Sequence, residues 1–456
     1  MNFQIFLQID VVDYLLLKCY NDTIKNAERV TRLKKIISFA ICVILVLASC
    51  IMPCSATSAY SSEESYPYIF IPGMVGWGTD YKYYDKFPYW GGGFKLGQTD
   101  NILSVLKNIG IEAYATNPGP FNSAWDRSCE VYAALTGTVV DYGKAHSEKH
   151  NHERYGFSYE GRPLMGEPWN LTDKINLLGY SFGTEVARLM ISLLAFGDED
   201  EINASGAETS ELFKGGHNSI NACITLSAPH NGTPLANVLV DTKVPMMLLA
   251  TLFHIVGCTF GNNVGPISLQ LSHFGITPKQ GESRVEFNLS KLYNYYNSVD
   301  NCGYDMTLRG AQELNELIKM SPDTYYYSFS TYSTVANEEN GRQNIVGNTN
   351  WLFKPTSLIL QGLEGLEIDG VKLTGEWALH DGVVPIASSK YPAVDEAFAK
   401  SYEEVMAAKE KIEKGIWYYM EPIFHMDHFD FCGIEDFPTS MEDFYYNLIR
   451  IVNSNC

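Results

Sequence analysis

Lys174-Ile-Asn-Leu-Leu-Gly-Tyr-Ser-Phe-Gly-Thr-Glu-Val-Ala-Arg-Leu-Met190 is the stretch on which the reading of the whole chain turns. An apolar run ends at Leu178, a turn follows through Gly179-Tyr180-Ser181-Phe182-Gly183, and Val186, Leu189 and Met190 then recur at helical spacing. Strand, G-x-S-x-G and helix in that order form the setting of a nucleophile elbow. The glycines have a mechanical reason, because side chains flanking the serine in so tight a turn would strike neighbouring backbone. Ser181 Oγ is thereby expected to stand clear of a sheet edge, at a helix N-terminus whose dipole favours developing negative charge.

Working outward, Pro67-Tyr-Ile-Phe-Ile71 reads as a buried strand running into the glycine-rich Pro72-Gly73-Met74-Val75-Gly76-Trp77-Gly78. A loop in this position donates one oxyanion N–H in α/β-hydrolases, so the backbone of Met74 is expected to act with that of Phe182. A serine nucleophile needs a base, and the base an orienting acid, which follow in the order Ser, Asp, His. Downstream, Asp381 in His380-Asp381-Gly382-Val383-Val384-Pro385 is the best acid, a carboxylate followed by a glycine and an apolar pair. His428 in Met426-Asp427-His428-Phe429-Asp430 is the best base, with His425 and Asp427 as competitors. The alternation of further apolar runs with helical patterns predicts an α/β fold: a mostly parallel sheet with helices on both faces.

The 456 residues, 46% hydrophobic and 19% charged, suit a globular chain with a substantial core. A formal charge of −20 makes nucleic acid an unsuitable partner, since nothing offsets phosphate repulsion. Arg29-Val-Thr-Arg-Leu-Lys-Lys35 ahead of an apolar run reads as the start of a secretory signal. We divide the chain into an N-terminal extension and basic region (1–35, start site open), a signal or lipoprotein anchor segment (36–59), a linker (60–65) and a catalytic domain (66–456). Leu47-Ala48-Ser49-Cys50 matches a lipoprotein processing box that would leave a lipidated Cys50, whereas Thr57-Ser58-Ala59 suits plain cleavage. Either route exports the protein, and an uncleaved membrane anchor is the alternative reading of the apolar run. The ten cysteines form no C-x-x-C pair and read mainly as buried free thiols.

Residues 102–109 are expected to be helical, and 111–115, 220–226, 325–329 and 418–424 to be strands. Residues 139–159 are polar, histidine-bearing and awkward for regular structure. Residues 235–265 are unusually apolar for a segment with no strand pattern.

Several motifs carry a family resemblance: Gly76-Trp77-Gly78, Tyr89-Trp90-Gly91-Gly92, Trp125-Asp126-Arg127-Ser128-Cys129-Glu130, Val140-Asp141-Tyr142-Gly143-Lys144-Ala145-His146, Lys149-His150-Asn151-His152, Thr324-Tyr325-Tyr326-Tyr327-Ser328-Phe329-Ser330 and Asp427-His428. With these the chain resembles the secreted bacterial lipases of the Geobacillus–Staphylococcus type, zinc- and calcium-binding α/β-hydrolases. The resemblance implies the triad Ser181, Asp381 and His428, and lipid esters as substrates at a lipid–water interface. It implies zinc ligands at Asp126, His146, His152 and Asp300, a closed set pinning an insertion at about 120–160. It implies calcium ligands at Gly347, Asp430, Glu435 and Asp436, although Glu435 stands where the family has Asp and Asp436 where it has Pro. The elbow reads Gly-Tyr-Ser-Phe-Gly where the family has Ala-His-Ser-Gln-Gly, which reshapes the pocket wall without removing backbone donors. Residues 235–265 take the place of the family's mobile lid. A broader esterase or polyesterase, and a non-catalytic surface binding protein on a hydrolase fold, are the competing functions.

Overall fold

The computed structural model describes residues 65–91, 101–242, 244–347, 349–394, 396–433 and 441–455. The leader, Cys50, Glu435 and Asp436 lie outside these residues. A seven-stranded sheet organises the chain. Its strands are β1 (Tyr68–Ile71), β2 (Ala113–Ala115), β3 (Ile175–Tyr180), β4 (Ile220–Leu226), β5 (Tyr325–Phe329), β6 (Ala399–Ser401) and β7 (Trp417–Tyr419). They lie in the order β6-β7-β5-β4-β3-β1-β2, and every pairing is parallel. Every residue of β1, β3 and β4 is buried, as continuous apolar runs become when helices cover both faces of a parallel sheet.

The helices that matter to the site are α1 (Ile102–Asn108), α2 (Ala124–Thr136), α3 (Lys144–His150), α4 (Gly183–Phe196), α5 (Pro234–Asp241), α6 (Val244–Thr259) and α7 (Met441–Asn453). Helix α4 follows β3 through the elbow and packs on α2. Alternate residues of β1 meet α7: Tyr68 donates to Asn453 Oδ1 at 2.8 Å, and the rings of Phe70 and Tyr445 lie 5.9 Å apart. Strand order reverses between β1 and β3, and at such a switch point the loops from the two carboxyl ends diverge and leave a crevice. The glycine-rich loop leaves β1 there, and Ser181 leaves β3.

Two expectations need correction. Residues 139–159 are regular: Val139–Asp141 and Tyr155–Ser158 pair antiparallel around α3, and Asp141 takes both Arg154 Nε and Nη2 at 2.8 Å. The stretch 418–424 is not one strand. Trp417–Tyr419 joins the sheet and Ile423–Phe424 pairs instead with Thr331–Tyr332, with Pro422, which has no N–H to give a ladder, in between. Within 235–265 two successive helices, α5 and α6, are followed by Asn263–Val264, which pairs antiparallel with Ile267–Ser268. Helix α6 buries Ala250, Phe253 and His254 and exposes Met247, Leu252 and Ile255. Among the described residues no helix is long and apolar enough to cross a membrane. Cys129, Cys223, Cys302 and Cys432 are buried free thiols and Cys258 is a half-buried one.

Candidate active site and metal group

Ser181 takes φ +50° at the end of β3, the left-handed conformation that aims its side chain out of the turn. Its N–H donates to Leu226 O of the neighbouring strand at 2.9 Å, which ties the turn to the sheet. A Cβ at Gly183 would run into the Ile71 carbonyl, and one at Gly73 would stand 2.9 Å from Ser181 Cβ. Glycine at both positions is what lets β1, its loop and the elbow close up.

His428 Nε2 lies 2.8 Å from Ser181 Oγ, and His428 Nδ1 lies 2.7 Å from Asp381 Oδ2. All three residues are buried. The second carboxylate oxygen of Asp381 accepts the N–H groups of Val383 and Val384 at 2.9 and 2.7 Å. Burial alone would raise the Asp381 carboxyl, but the His428 ring and those N–H groups hold it below the usual range. The group therefore stays ionised and accepts the imidazole proton's hydrogen bond.

Asp381 does not follow a strand of the sheet, as a loop at a strand's carboxyl end would. A turn closed by the His380–Pro385 bridge presents it, anchored where His380 O accepts Ser333 N–H at 3.0 Å. The loop of His428 is held by carboxylates: Asp427 Oδ2 accepts Asn350 N–H, and Asp430 Oδ2 accepts Asp427 N–H, both at 2.7 Å. Asp427 is thus a brace, while His425 is exposed with its ring 3.9 Å from that of Phe424. Met74 sits in a turn directly after Gly73, whose position lies against Ser181, and Phe182 caps α4 directly after the serine.

A second group lies at the start of α2. Asp126, His146, His152 and Asp300 converge with one ligand atom from each within 4.8 Å of all the others. Asp126 sits in the first turn of α2, its N–H capped by Ser123 Oγ at 3.2 Å. His146 rides on α3, whose N-terminus is capped from outside: Glu201 accepts Ala145 N–H at 3.1 Å and His146 N–H at 2.6 Å. His152 follows Asn151, the left-handed cap of α3. Asp300 is set by Ser298 Oγ, which accepts its N–H at 2.9 Å. His146 Nε2 stands 3.3 Å from Asp126 Oδ1 and 3.2 Å from Asp300 Oδ2, and His152 Nε2 stands 3.2 Å from the same Asp300 oxygen. Asp126 Oδ1 and His152 Nε2 are buried without a hydrogen-bond partner in the protein, so the donors fit a shared cation better than one another. Burial alone would lower His146, yet the Asp300 and Asp126 carboxylates lift it to about 10. Burial would raise Asp300, yet His146 and His152 hold it well below the carboxylate range. His150 is outside the group.

His273 was not legible in any motif. It is buried and its Nε2 lies 2.9 Å from Asp126 Oδ2, orienting that carboxylate as outer partners of metal ligands do. Glu185, Arg188 and His230 were missed as well. Glu185 accepts from Arg188 Nη1 at 2.6 Å and faces His230 Nδ1 at 3.3 Å, all buried beneath the elbow. For calcium, Gly347 is exposed in a turn and Asp430 is buried, and the other two residues lie outside the described ones.

A parallel sheet covered by helices, an elbow serine on its carboxyl edge and a His–Asp pair reaching it from later loops define an α/β-hydrolase. The chain belongs to the lipase-like C-terminal domain family, whose model matches residues 64–452. It is 31% identical over 399 residues to Lipase 1 of Staphylococcus aureus (strain NCTC 8325 / PS 47), an alignment covering 85% of this chain and 54% of that protein. The chain thus spans about half the length of the curated relatives it matches. Among solved structures it is similar to Staphylococcus hyicus lipase, with a TM-score of 0.71 and 26% identity over 88% of this chain and 99% of that one. It is also similar to EstA from Clostridium botulinum, with a TM-score of 0.68 and 28% identity over 88% and 90%.

Proposed function

We propose that the protein is an exported serine carboxylester hydrolase that cleaves triacylglycerol through an acyl-enzyme on Ser181. The observation that carries this reading is the 2.8 Å approach of His428 Nε2 to the hydroxyl of a serine held at positive φ. His428 takes the Ser181 proton as Oγ attacks the ester carbonyl carbon. Asp381 fixes the ring with its proton on Nδ1 and stabilises the imidazolium. The carbonyl oxygen, now anionic, receives the N–H groups of Met74 and Phe182, a contribution worth about 3 kcal/mol per donor. His428 returns the proton to the leaving alcohol, and the C–O bond breaks. Water, deprotonated by the same imidazole, then releases the fatty acid and restores Ser181.

Lipase names among the relatives and the exposed apolar side chains of α6 support a lipid substrate. Helix α6 acts as the lid, covering the crevice in water and turning its apolar residues to lipid at an interface. Asp126, His146, His152 and Asp300 would hold zinc, which two imidazoles and two carboxylates suit as a four-ligand set, and the ion would serve structure rather than chemistry. Bound there, it would pin α3 and its hairpin to α2. Calcium at Gly347, Asp430, Glu435 and Asp436 is a further proposal, a brace for the His428 loop built from hard oxygen donors. Export with either a lipidated Cys50 or cleavage near Ala59 is read from the leader, and mass spectrometry of the mature N-terminus distinguishes the two.

Ser181→Ala tests the central reading. Hydrolysis of p-nitrophenyl esters should fall by at least about 10⁴-fold without loss of folding, and fluorophosphonate labelling should vanish. Retained activity overturns the triad. The likeness to EstA favours a second reading, an esterase of broader scope. Rates on emulsified triacylglycerol, soluble short esters and polyester film separate the two.

A further inference from the structure

We infer that Arg127 is a positioning residue for the oxyanion loop: its guanidinium holds the carbonyls of Pro72 and Gly73 and thereby aims the Met74 N–H. Arg127 is fully buried, one residue after Asp126 in the first turn of α2. Its Nη2 donates to Pro72 O at 2.6 Å and to Gly73 O at 3.3 Å. Its Cζ also lies 5.3 Å from the centroid of the Phe182 ring. One side chain thus bonds the loop that carries Met74 and faces the ring of Phe182, the residue after Ser181.

Peptide geometry carries the rest. Gly73 C=O and Met74 N–H belong to one planar trans unit, and they point in opposite directions. Fixing the carbonyl on the Arg127 side therefore fixes the direction of the N–H on the other. Gly73 has no side chain to steady the turn, and its position lies against Ser181. Unaided, its peptide could rotate at little cost. The guanidinium fork is suited to this task because it is planar and pre-organised, and a lysine ammonium is not an equivalent. The energetics point the same way. Arg127 Nε and Nη1 have no hydrogen-bond partner in the protein, and burying a cation so incompletely paired costs stability. A leucine or methionine would pack there at lower cost if the position served packing alone.

This inference rests on the hydrolase reading above. Wild type, Ser181→Ala, Arg127→Lys and Arg127→Met are compared on a soluble ester, with competent sites counted by fluorophosphonate titration. A boronic acid, whose serine adduct is tetrahedral, reports the oxyanion interaction directly. Melting temperature and circular dichroism report folding. In the folded arginine variants kcat per titrated site should fall on the order of 10²-fold, with KM within about twofold and boronate affinity falling in step. Arg127→Lys keeps the buried cation and supplies the result if Arg127→Met does not fold. In a further variant, Arg127→Ala, millimolar guanidinium should restore part of kcat. Either of two results overturns the inference: unchanged kcat and boronate affinity in a folded variant, or lost activity explained wholly by fewer competent sites. An inactive wild type, or an active Ser181→Ala, instead removes the hydrolase reading itself, and the inference falls with it.

Discussion

His428 and Asp381 are joined twice. The imidazole Nδ1 shares a 2.7 Å hydrogen bond with Asp381 Oδ2, and the His428 backbone N–H donates to the Asp381 carbonyl at 2.9 Å. The loop that carries His428 is thus laid directly on the turn that carries Asp381. Because the backbone bond survives loss of the carboxylate, Asp381→Asn should leave the histidine in place while spoiling its tautomer. We expect kcat to fall about 10⁴-fold with little change in melting temperature, as steady-state kinetics and calorimetry will measure. A loss under tenfold would count against the role of Asp381.

The metal group should make stability depend on a bound divalent ion. Ligand binding to the folded state alone contributes about 4 kcal/mol at 1,000 times the dissociation constant. Chelation should therefore lower the melting temperature by several degrees, and zinc should restore it better than magnesium. His152→Ala should remove the response to chelator. His273→Ala should weaken zinc affinity by about 10- to 100-fold while leaving the four ligands present, which competition with a chromophoric chelator will read.

Beneath the elbow, burial alone would raise Glu185, but Arg188 and His230 bring it down to about 2. A depressed carboxyl contributes stability above its unfolded value, near 4.3, and loses that contribution as pH falls towards 2. Glu185→Gln should cost about 3 kcal/mol at neutral pH by leaving the Arg188 cation without its partner. Denaturant melts at stepped pH should show the wild-type advantage shrinking between about pH 4.3 and 2. A constant difference across that window would remove the ionised carboxylate as the cause.

Helix α6 exposes Leu252 and Ile255 at 38% and 48%, and the lid reading has them meet lipid. Ile255→Glu should reduce activity on emulsified triacylglycerol about tenfold, the equivalent of one apolar side chain's transfer energy. The change on a soluble short ester should be much smaller. Equal losses on both substrates would mean that α6 does not discriminate an interface.

Legibility in the sequence followed locality. The elbow was readable because strand, turn and helix are contiguous and each obeys its own period. Interior strands such as Ile220–Leu226 announced themselves as unbroken apolar runs. Residues 139–159 misled because their hairpin has little apolar alternation. It is regular through Arg154–Asp141, a pair facing each other across the hairpin, and through a helix capped by Glu201, which lies outside the stretch altogether. The split at 418–424 had a visible cause in Pro422, but only the pairing of Ile423–Phe424 with Thr331–Tyr332 gave the second half a place.

By itself, then, the order of residues determined the nucleophile's turn, the parallel sheet that carries it and the short list of acids and bases. Tertiary structure alone decided which of them meet: it chose His428 over His425, set Asp427 to bracing, added His273 behind Asp126 and laid Arg127 under the Pro72-Gly73 loop. The physical reason is that backbone propensity and hydrophobic period act over a few neighbours, whereas hydrogen bonds between buried polar groups depend on contacts separated by up to hundreds of residues.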